Sequence, residues 1–399
     1  MKICILHIGN YLLDKESGVY QKTMAIVDAL TKNAIPVQIV NFSTSQAQHA
    51  DSRVHAMKID KLNKWQIIDH WITQHIDDST LIWMRYTFAD SQFYQMVKKW
   101  GSQIVLEHNT LEEEEALLLQ KKLWKTLPVS ISKSYLKFTL ETFLRQRTDE
   151  SRWGKKIFRE VLGGICVTHE IAKYEKKRFP AYPTFVLPNC INIESNAAIE
   201  LIEDPSKLNT DHQRWVMLIG SKAEWHGIDR LINSLKNSNL LPNKSIRIDI
   251  IGLSAEPNIK HKLPTNTTIQ FLGKIKPSEL EKKLQTYHLA IGSLAFYKIK
   301  ISEACPLKVR DYWKAGLPVL MAYQDTSCIE NPALAQFQFS TANHHRDLPI
   351  QKIHDFVAQL YLQPQINEKI KTIALASVDY QKNIMNLVTY FKSIRKKSI

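Results

Sequence analysis

The sequence predicts an α/β protein made of two Rossmann-like, doubly wound parallel-sheet domains. Apolar runs of strand length alternate with amphipathic helical segments from the first residues onward, and the alternation restarts at Trp215. The largely polar segment 191–213 between the two series has the composition of a linker. A chain of 399 residues is too long for one ordinary core and suits two domains of about 150 to 200 residues each. This spacing of strands and helices is typical of parallel sheets with helical crossovers.

The first series of elements is predicted as a domain over residues 1–190. Its buried, strand-like runs lie at 2–9, 35–42, 81–86, 103–108, 164–169 and 184–188. Its helices are predicted after Ser17 and Gly18, over 62–76 and 90–100, and up to Arg178. An insert at about 112–160 interrupts this rhythm.

The second series is predicted as a domain over residues 214–375. Its strands lie at 216–220, 246–252, 269–273 and 289–292, and its helices at 227–235 and 278–287. The stretch 366–399 reads as one helix with a basic tail, of which 376–399 is assigned to a separate C-terminal element.

Composition and charge narrow the class of protein. The five cysteines are scattered without a C-x-x-C pair, which favours reduced thiols and a cytoplasmic location over a disulfide framework or a zinc site. The first apolar run is too short for a signal peptide, and no run of 18 apolar residues would span a membrane. The formal net charge of +14 fits phosphorylated substrates, anionic lipid or nucleic acid as partners.

The stretch 301–320 carries the strongest helix signals. Pro306 is suited to a first helical position, and Gly316-Leu317-Pro318 is a stop signal before an apolar strand. The N–H groups of Leu307 and Lys308 would point out of the positive helix end, where a phosphate can bind.

Two carboxylates flank that helix start. Glu303 precedes it, and Asp311 follows eight residues after Glu303, two helical turns along. Carboxylates at these places can accept hydrogen bonds from the hydroxyls of a sugar and of a ribose, with phosphates between them.

The pattern Glu303-x7-Asp311, followed by Ala315-Gly316-Leu317-Pro318-Val319, resembles the E-x7-E signature of retaining GT-B glycosyltransferases of family 4. The second acid is Asp, one methylene shorter than the family's Glu. The resemblance implies a GT-B fold whose two Rossmann-like domains face a central cleft. It also implies transfer of a hexosyl group from a nucleotide diphosphate sugar, with Glu303 holding the donor sugar and Asp311 the ribose.

The segment 220–229 resembles the family's G-R…E-K-G loop, in which an Arg and a Lys hold the donor diphosphate. Here Ser221 and His226 stand at those two places. A neutral His donates a hydrogen bond without a permanent charge, so phosphate binding would depend on Lys222, Lys308 or Arg310 and on the helix end.

Two further candidates lie in the first domain. Gly18 stands where the family has its glycine-rich loop, either for close approach of a diphosphate or acceptor or as a plain turn into the helix. His108 closes a strand at its carboxyl end, the place where ligands bind in open α/β sheets, and is assigned to the acceptor side.

The insert is strongly basic, with aromatic residues between its lysines and arginines. Such a segment fits peripheral contact with an anionic membrane at the inner face of the cell membrane, or helices that pack on the sheet and expose a basic rim. No nucleic-acid motif is present, and no nucleic-acid partner is expected.

The sequence therefore predicts a retaining, nucleotide-sugar-dependent glycosyltransferase with a glycan or lipid-linked acceptor, in bacterial surface polysaccharide or glycolipid synthesis. No D-x-D triplet is present, and neither a metal ion nor another cofactor is expected for the donor. Two alternatives stay open: a non-catalytic basic GT-B scaffold that binds membrane or nucleic acid, and a nucleotide-sugar epimerase.

Overall fold

The computed structural model describes residues 1–10, 12–15, 17–45, 51–60, 62–112, 114, 148–190, 209–220, 223–254 and 263–396. Ser221, Lys222 and most of the basic insert lie outside these residues. The chain divides into two compact units, Met1–Pro188 with Tyr380–Ile399, and Asn189–Asp379.

The first unit contains a sheet of seven strands in the order β3-β2-β1-β4-β5-β6-β7, and every neighbouring pair is parallel. The strands are β1 (Lys2–Ile8), β2 (Val37–Ser43), β3 (Val54–Lys58), β4 (Thr80–Arg85), β5 (Ile104–His108), β6 (Gly163–Cys166) and β7 (Thr184–Val186). Strand β3 was not predicted from the sequence, since only Val54 of this edge strand is buried and no apolar alternation marks it.

Helices cover this sheet, and three of them follow a residue whose side chain accepts a hydrogen bond from a helical N–H group. They are Gly18–Lys32, Lys64–His75, Ser91–Trp100, 148–160, His169–Arg178 and Tyr380–Lys396. Ser17, Asp90 and Thr168 each accept a hydrogen bond from a backbone N–H in the first turn. The core beneath includes Phe42, Trp65 and Trp71.

The last stretch is two helices, Ile366–Ser377 and Tyr380–Lys396, where the sequence analysis predicted one. The break consists of Val378 and Asp379, and Asp is a residue type preferred directly before a helix. The second of these helices belongs to the first unit, where Phe391 packs edge-on against Trp83 and the Tyr390 hydroxyl donates to the carbonyl of Gly164 over 3.2 Å.

The second unit contains a sheet of six parallel strands in the order β10-β9-β8-β11-β13-β15. These strands are β8 (His212–Leu218), β9 (Ser245–Ile251), β10 (Thr267–Gly273), β11 (Leu289–Ile291), β13 (Val319–Met321) and β15 (Gln338–Ser340). The chain leaves β8 toward one edge and returns to β11 on its other side, so the strand order reverses between β8 and β11. Each unit thus has the strand order of a doubly wound Rossmann sheet, as predicted.

A small second sheet and several helices complete this unit. The short parallel strands β12 (Glu303–Ala304) and β14 (Gln324–Asp325) pair with each other. The helices are Ile228–Lys236, Pro277–Leu284, Leu307–Lys314, Thr326–Glu330, Pro332–Ala335, Ile350–Tyr361 and Ile366–Ser377. In the described part of the chain, no helix combines the length and apolar character needed to cross a membrane.

Candidate functional site

The point where the strand order of the second sheet reverses is bridged by a tyrosine. β8 and β11 pair only at Trp215 with Leu289 and at Val216 with Ala290, and the strands are not paired beyond that point. The Tyr312 hydroxyl accepts a hydrogen bond from the Leu218 N–H over 2.7 Å and donates one to the Ile291 carbonyl over 3.1 Å. In open α/β sheets, ligands bind outside the carboxyl ends of the strands at this kind of reversal.

The loops that follow β8 and β11 are joined to each other. The Leu294 N–H donates to the His226 carbonyl over 3.0 Å, and the Ala295 N–H donates to the Trp225 carbonyl over 3.1 Å. Gly227 makes this approach possible, since it has a φ of 73° and an added Cβ would lie 2.9 Å from the Cβ of Leu294. The two loops therefore form one floor beside the strand ends.

The helix Leu307–Lys314 begins next to this floor. Pro306 was predicted at the first helical position, but its ψ of 137° is extended and makes it the residue before the helix. Among the described residues, the N–H groups of Leu307 and Lys308 donate to no protein acceptor. These two donors and the positive end of the helix dipole can bind an anion.

The Lys308 ammonium lies at the end of β8. Its Nζ donates to the Leu218 carbonyl over 3.2 Å and lies 3.5 Å from Nδ1 of His226. Burial lowers the pKa of Lys308 to about 7. Burial and the neighbouring Lys308 lower the pKa of His226 to about 3, so this imidazole is neutral at physiological pH. When the protonated Lys308 donates to Nδ1, the ring proton of His226 is on Nε2 and available to an acceptor.

Glu303 is the first residue of β12 and is 7% exposed. Its Oε1 accepts a hydrogen bond from the Thr326 hydroxyl over 2.8 Å. Thr326 follows the partner strand β14 directly, so the pairing of β12 with β14 sets the position of this hydroxyl beside Glu303.

Arg310, predicted as a possible phosphate ligand, is instead fully buried in an ion pair. Its guanidinium donates to both carboxylate oxygens of Asp325 over 2.9 and 2.8 Å, to the hydroxyl of Ser327 and to the carbonyl of Asn189. Bidentate pairing and these further acceptors compensate the cost of burying the charge. Asp325 directly precedes Thr326, the residue that donates to Glu303. The ion pair of Arg310 with Asp325 therefore holds the helix Leu307–Lys314 to strand β14, which positions Thr326.

Asp311 lies on the same helix, half-buried, one turn after Lys308. Burial, more than any neighbouring charge, raises the pKa of its carboxyl to about 7. An acidic side chain retained at a place that disfavours its charge is typical of a site with a function.

Gly18 and His108 lie in the first unit. Gly18 is the first residue of the helix Gly18–Lys32, directly after the capping residue Ser17. Both interpretations of Gly18, close approach of a diphosphate or acceptor and a plain turn into the helix, stay open. His108 ends β5 as predicted, but its side chain is fully buried. Its role on the acceptor side stays a prediction.

Three residues were not predicted from the sequence. Two of them lie in the site of the second unit, and the third lies beside His108 in the first unit. Tyr312 and Thr326 act through contacts 21 and 23 residues away, with Ile291 and Glu303, and no local pattern marks either of them. Glu112, four residues after His108, lies near its imidazole. A His and a Glu at this spacing were the one signal that could have been used.

No family model matches the sequence, and no curated protein matches it. Solved structures do. WaaG, a glycosyltransferase involved in lipopolysaccharide biosynthesis, has a TM-score of 0.63 and 11% identity over 97% of this chain and 99% of its own. A glycosyltransferase from Rickettsia africae has a TM-score of 0.62 and 13% identity over 98% of both chains. An alpha-glucosyltransferase in complex with UDP-glucose and DNA has a TM-score of 0.58 and 13% identity over 99% of both.

At this level of identity the similarity establishes the fold. The chain is a GT-B protein with two Rossmann-like units, in agreement with the fold class that the sequence predicts.

Proposed function

We propose that this protein is a retaining glycosyltransferase that moves a hexosyl group from a nucleotide diphosphate sugar to an acceptor hydroxyl. The observation that carries the proposal is the arrangement at the carboxyl end of β8. There the Lys308 ammonium, the neutral His226 ring and two N–H groups at a helix start lie together. They form a set of donors suited to a diphosphate.

The roles of the residues follow from the charge that moves in the reaction. As the bond between the sugar carbon and the phosphate oxygen breaks, negative charge accumulates on the departing diphosphate. We assign the stabilisation of that charge to Lys308, His226 and the amides of Leu307 and Lys308, and we propose Ser221 and Lys222, which follow β8 in the sequence, as further donors. We assign Glu303 to the hydroxyls of the donor sugar and Asp311 to the ribose.

The acceptor is proposed to be a glycan or a lipid-linked glycan in bacterial surface polysaccharide or glycolipid synthesis. The net charge of +14 would favour an anionic acceptor or an anionic membrane surface, with the protein acting in the cytoplasm. WaaG, similar in fold, is described as involved in lipopolysaccharide biosynthesis.

The proposal is tested first with a thermal-shift panel of nucleoside diphosphates and their sugars, with and without EDTA. A ligand at about 100 times its dissociation constant stabilises the folded protein by about 2.7 kcal/mol, which is easily measured. We expect a shift for one base, unchanged by EDTA. Silence across the panel in a folded sample would favour the non-catalytic scaffold.

A second measurement separates the remaining alternatives. A transferase releases free nucleotide from the matching sugar donor only when an acceptor is added, whereas an epimerase converts the donor without one. Glycan, lipid-linked glycan and DNA are compared as acceptors, since an alpha-glucosyltransferase of similar fold is described in complex with DNA. Salt-sensitive retention of DNA without any response to nucleotides would identify a nucleic-acid scaffold.

Asp311→Asn is expected to stabilise the protein while weakening donor binding. The pKa of about 7 in the folded state lies above the ordinary Asp value, so folding binds protons between about pH 4 and pH 7. The contribution of Asp311 to the free energy of unfolding therefore falls as pH rises to about 7. The neutral amide removes this penalty. We expect the variant to have a higher Tm than the wild type at pH 8, and this difference in Tm should diminish as the pH is lowered to about 4.

In the same variant, loss of the charged acceptor for the ribose should raise the dissociation constant of the nucleotide about 10-fold or more. Asp78→Asn is the matched control, since that carboxylate is exposed and belongs to the first unit. It should change neither quantity. A lower Tm for Asp311→Asn at pH 8, or unchanged nucleotide affinity, would contradict this assignment.

A further inference from the structure

We propose that His108, Glu112 and Glu175 form a buried binding site for a divalent transition-metal cation of the Zn²⁺ type. The site lies in the first unit, is separate from the residues assigned to the donor, and does not depend on the proposed function. The sequence analysis predicted no metal for the donor, which concerns a different place in the molecule.

The two distances from Nδ1 of His108 to the carboxylates fit neighbouring ligands of a metal ion better than direct hydrogen bonds. Nδ1 of His108 lies 3.4 Å from an oxygen of Glu175 and 3.5 Å from an oxygen of Glu112. One ligand atom from each residue lies within 4.8 Å of the other two. Zn²⁺ binds nitrogen and oxygen at about 2.0 to 2.2 Å, so neighbouring ligands of a tetrahedral ion lie about 3.3 to 3.6 Å apart.

The imidazole nitrogen that points into this cluster has no hydrogen bond to any residue that the structure describes. His108 is 0% exposed, and among the described residues its Nδ1 meets no hydrogen-bond partner. A buried polar atom without a partner is costly, and metal coordination would remove the cost. Glu112 and Glu175 are buried as well, at 3% and 0% exposed.

Hydrogen-bonding groups outside the cluster orient two of the candidate ligands, His108 and Glu175, as is usual for metal sites. Nε2 of His108 lies 3.1 Å from the Tyr182 hydroxyl, so a proton on Nε2 leaves the lone pair of Nδ1 directed at the carboxylates. Nη1 of Arg178 donates to both oxygens of Glu175 over 3.2 and 3.1 Å. Hydrogen bonds of this kind orient an imidazole and a carboxylate toward an ion.

The cluster and its surroundings contain several buried carboxylates. The described group contains the carboxylates of Glu112, Glu150 and Glu175 and one guanidinium, that of Arg178. Glu150 is satisfied by the Tyr86 hydroxyl, the Ala89 N–H and Arg178. A cation bound between Glu112 and Glu175 would interact favourably with both carboxylates. A proton shared by the carboxylates is the competing explanation, because burial and Glu112 raise the pKa of Glu175 to about 7.

The metal content of the full chain tests the proposal directly. The protein is purified without a chelator or a polyhistidine tag, and its metals are measured by mass spectrometry. We expect about one transition-metal ion per chain. Protein that is unfolded in EDTA and refolded with Co²⁺ should show the visible absorption of a four-coordinate site. No bound metal and no Co²⁺ spectrum after refolding would overturn the proposal.

Glu112→Gln distinguishes a bound metal from a proton shared by the carboxylates, because the two cases predict Tm changes of opposite sign. If the cluster binds a metal, the affinity of the variant for the ion should be lower by about 10-fold or more, and its Tm should be lower than that of the wild type. If it holds a proton, removing one of two adjacent carboxylates should raise the Tm, with no metal in either protein. His212→Asn, which changes an exposed histidine, is the control and should retain the ion.

Tyr182→Phe supplies a second variant that leaves all three ligands in place. It removes the hydroxyl beside Nε2 and should weaken metal affinity about 10- to 100-fold while the protein stays folded by circular dichroism. Unchanged affinity in this variant together with unchanged metal content in Glu112→Gln would overturn the assignment.

Discussion

Glu303→Gln is expected to lower kcat/KM for sugar transfer by about 10² to 10³-fold. The glutamine has nearly the same shape, but it lacks the negative charge with which Glu303 is proposed to accept hydrogen bonds from the donor sugar. The fold should persist, since the Thr326 hydroxyl can still donate to the amide oxygen. A nucleoside diphosphate, which lacks the transferred hexosyl group, should bind the variant as tightly as the wild type. Turnover measured beside this affinity therefore separates the sugar contact from the diphosphate contact.

Two further variants sharpen the interpretation of Glu303. Thr326→Val removes only the hydrogen bond to Glu303 and should cost about 2- to 12-fold in kcat/KM. Glu279→Gln changes an exposed carboxylate on the helix Pro277–Leu284 and should leave activity unchanged. Full turnover by Glu303→Gln would contradict the assignment.

Lys308→Met is expected to raise the dissociation constant of the nucleotide sugar about 10- to 150-fold, the range for a lost charged hydrogen bond. Methionine retains most of the apolar stem, so the fold should be retained. In the free protein the pKa of Lys308 is about 7, and binding of a diphosphate requires the protonated ammonium. Binding therefore takes up a proton above pH 7, and wild-type affinity should fall with rising pH, by at most about tenfold per pH unit.

Calorimetric titrations between pH 7 and pH 9 test this dependence. A nucleotide sugar is used, because its diphosphate has no proton to lose in that range. The pH dependence should disappear in Lys308→Met and persist in Lys282→Met, which changes an exposed lysine of the same unit. A wild-type affinity that does not change over this range would show that Lys308 does not contact the diphosphate as its ammonium ion.

The helix at 307–314 illustrates how much of the candidate site local sequence predicts. Gly316 ends this helix as expected, with a φ of 73° and a place where an added Cβ would lie 2.4 Å from the Asn367 carbonyl. The free N–H groups at its start were also predicted, because the first residues of any helix lack acceptors. Arg310, three residues into the helix, could not be placed, since Asp325 reaches it from a separate strand.

In the first unit, too, local sequence predicted the strands but not the contacts between distant residues. The alternation of apolar runs was sufficient to predict parallel strands, and His108 does end one of them. Nothing near His108 in the sequence indicated that Glu175, 67 residues later, would lie beside it. The edge strand Val54–Lys58 was missed for a related reason, since an exposed strand is defined by the neighbour with which it pairs.

By itself the sequence determined the two-unit α/β class, most strands and helices, and the carboxylates and amides around residues 303–311. These properties depend on side-chain periodicity and on backbone hydrogen bonds within a few residues. Only the tertiary structure decided that Lys308 lies at the end of β8 beside His226, that Arg310 is buried, and that His108 is enclosed by carboxylates. Those outcomes depend on desolvation and charge pairing between distant segments, and a linear pattern contains no measure of either.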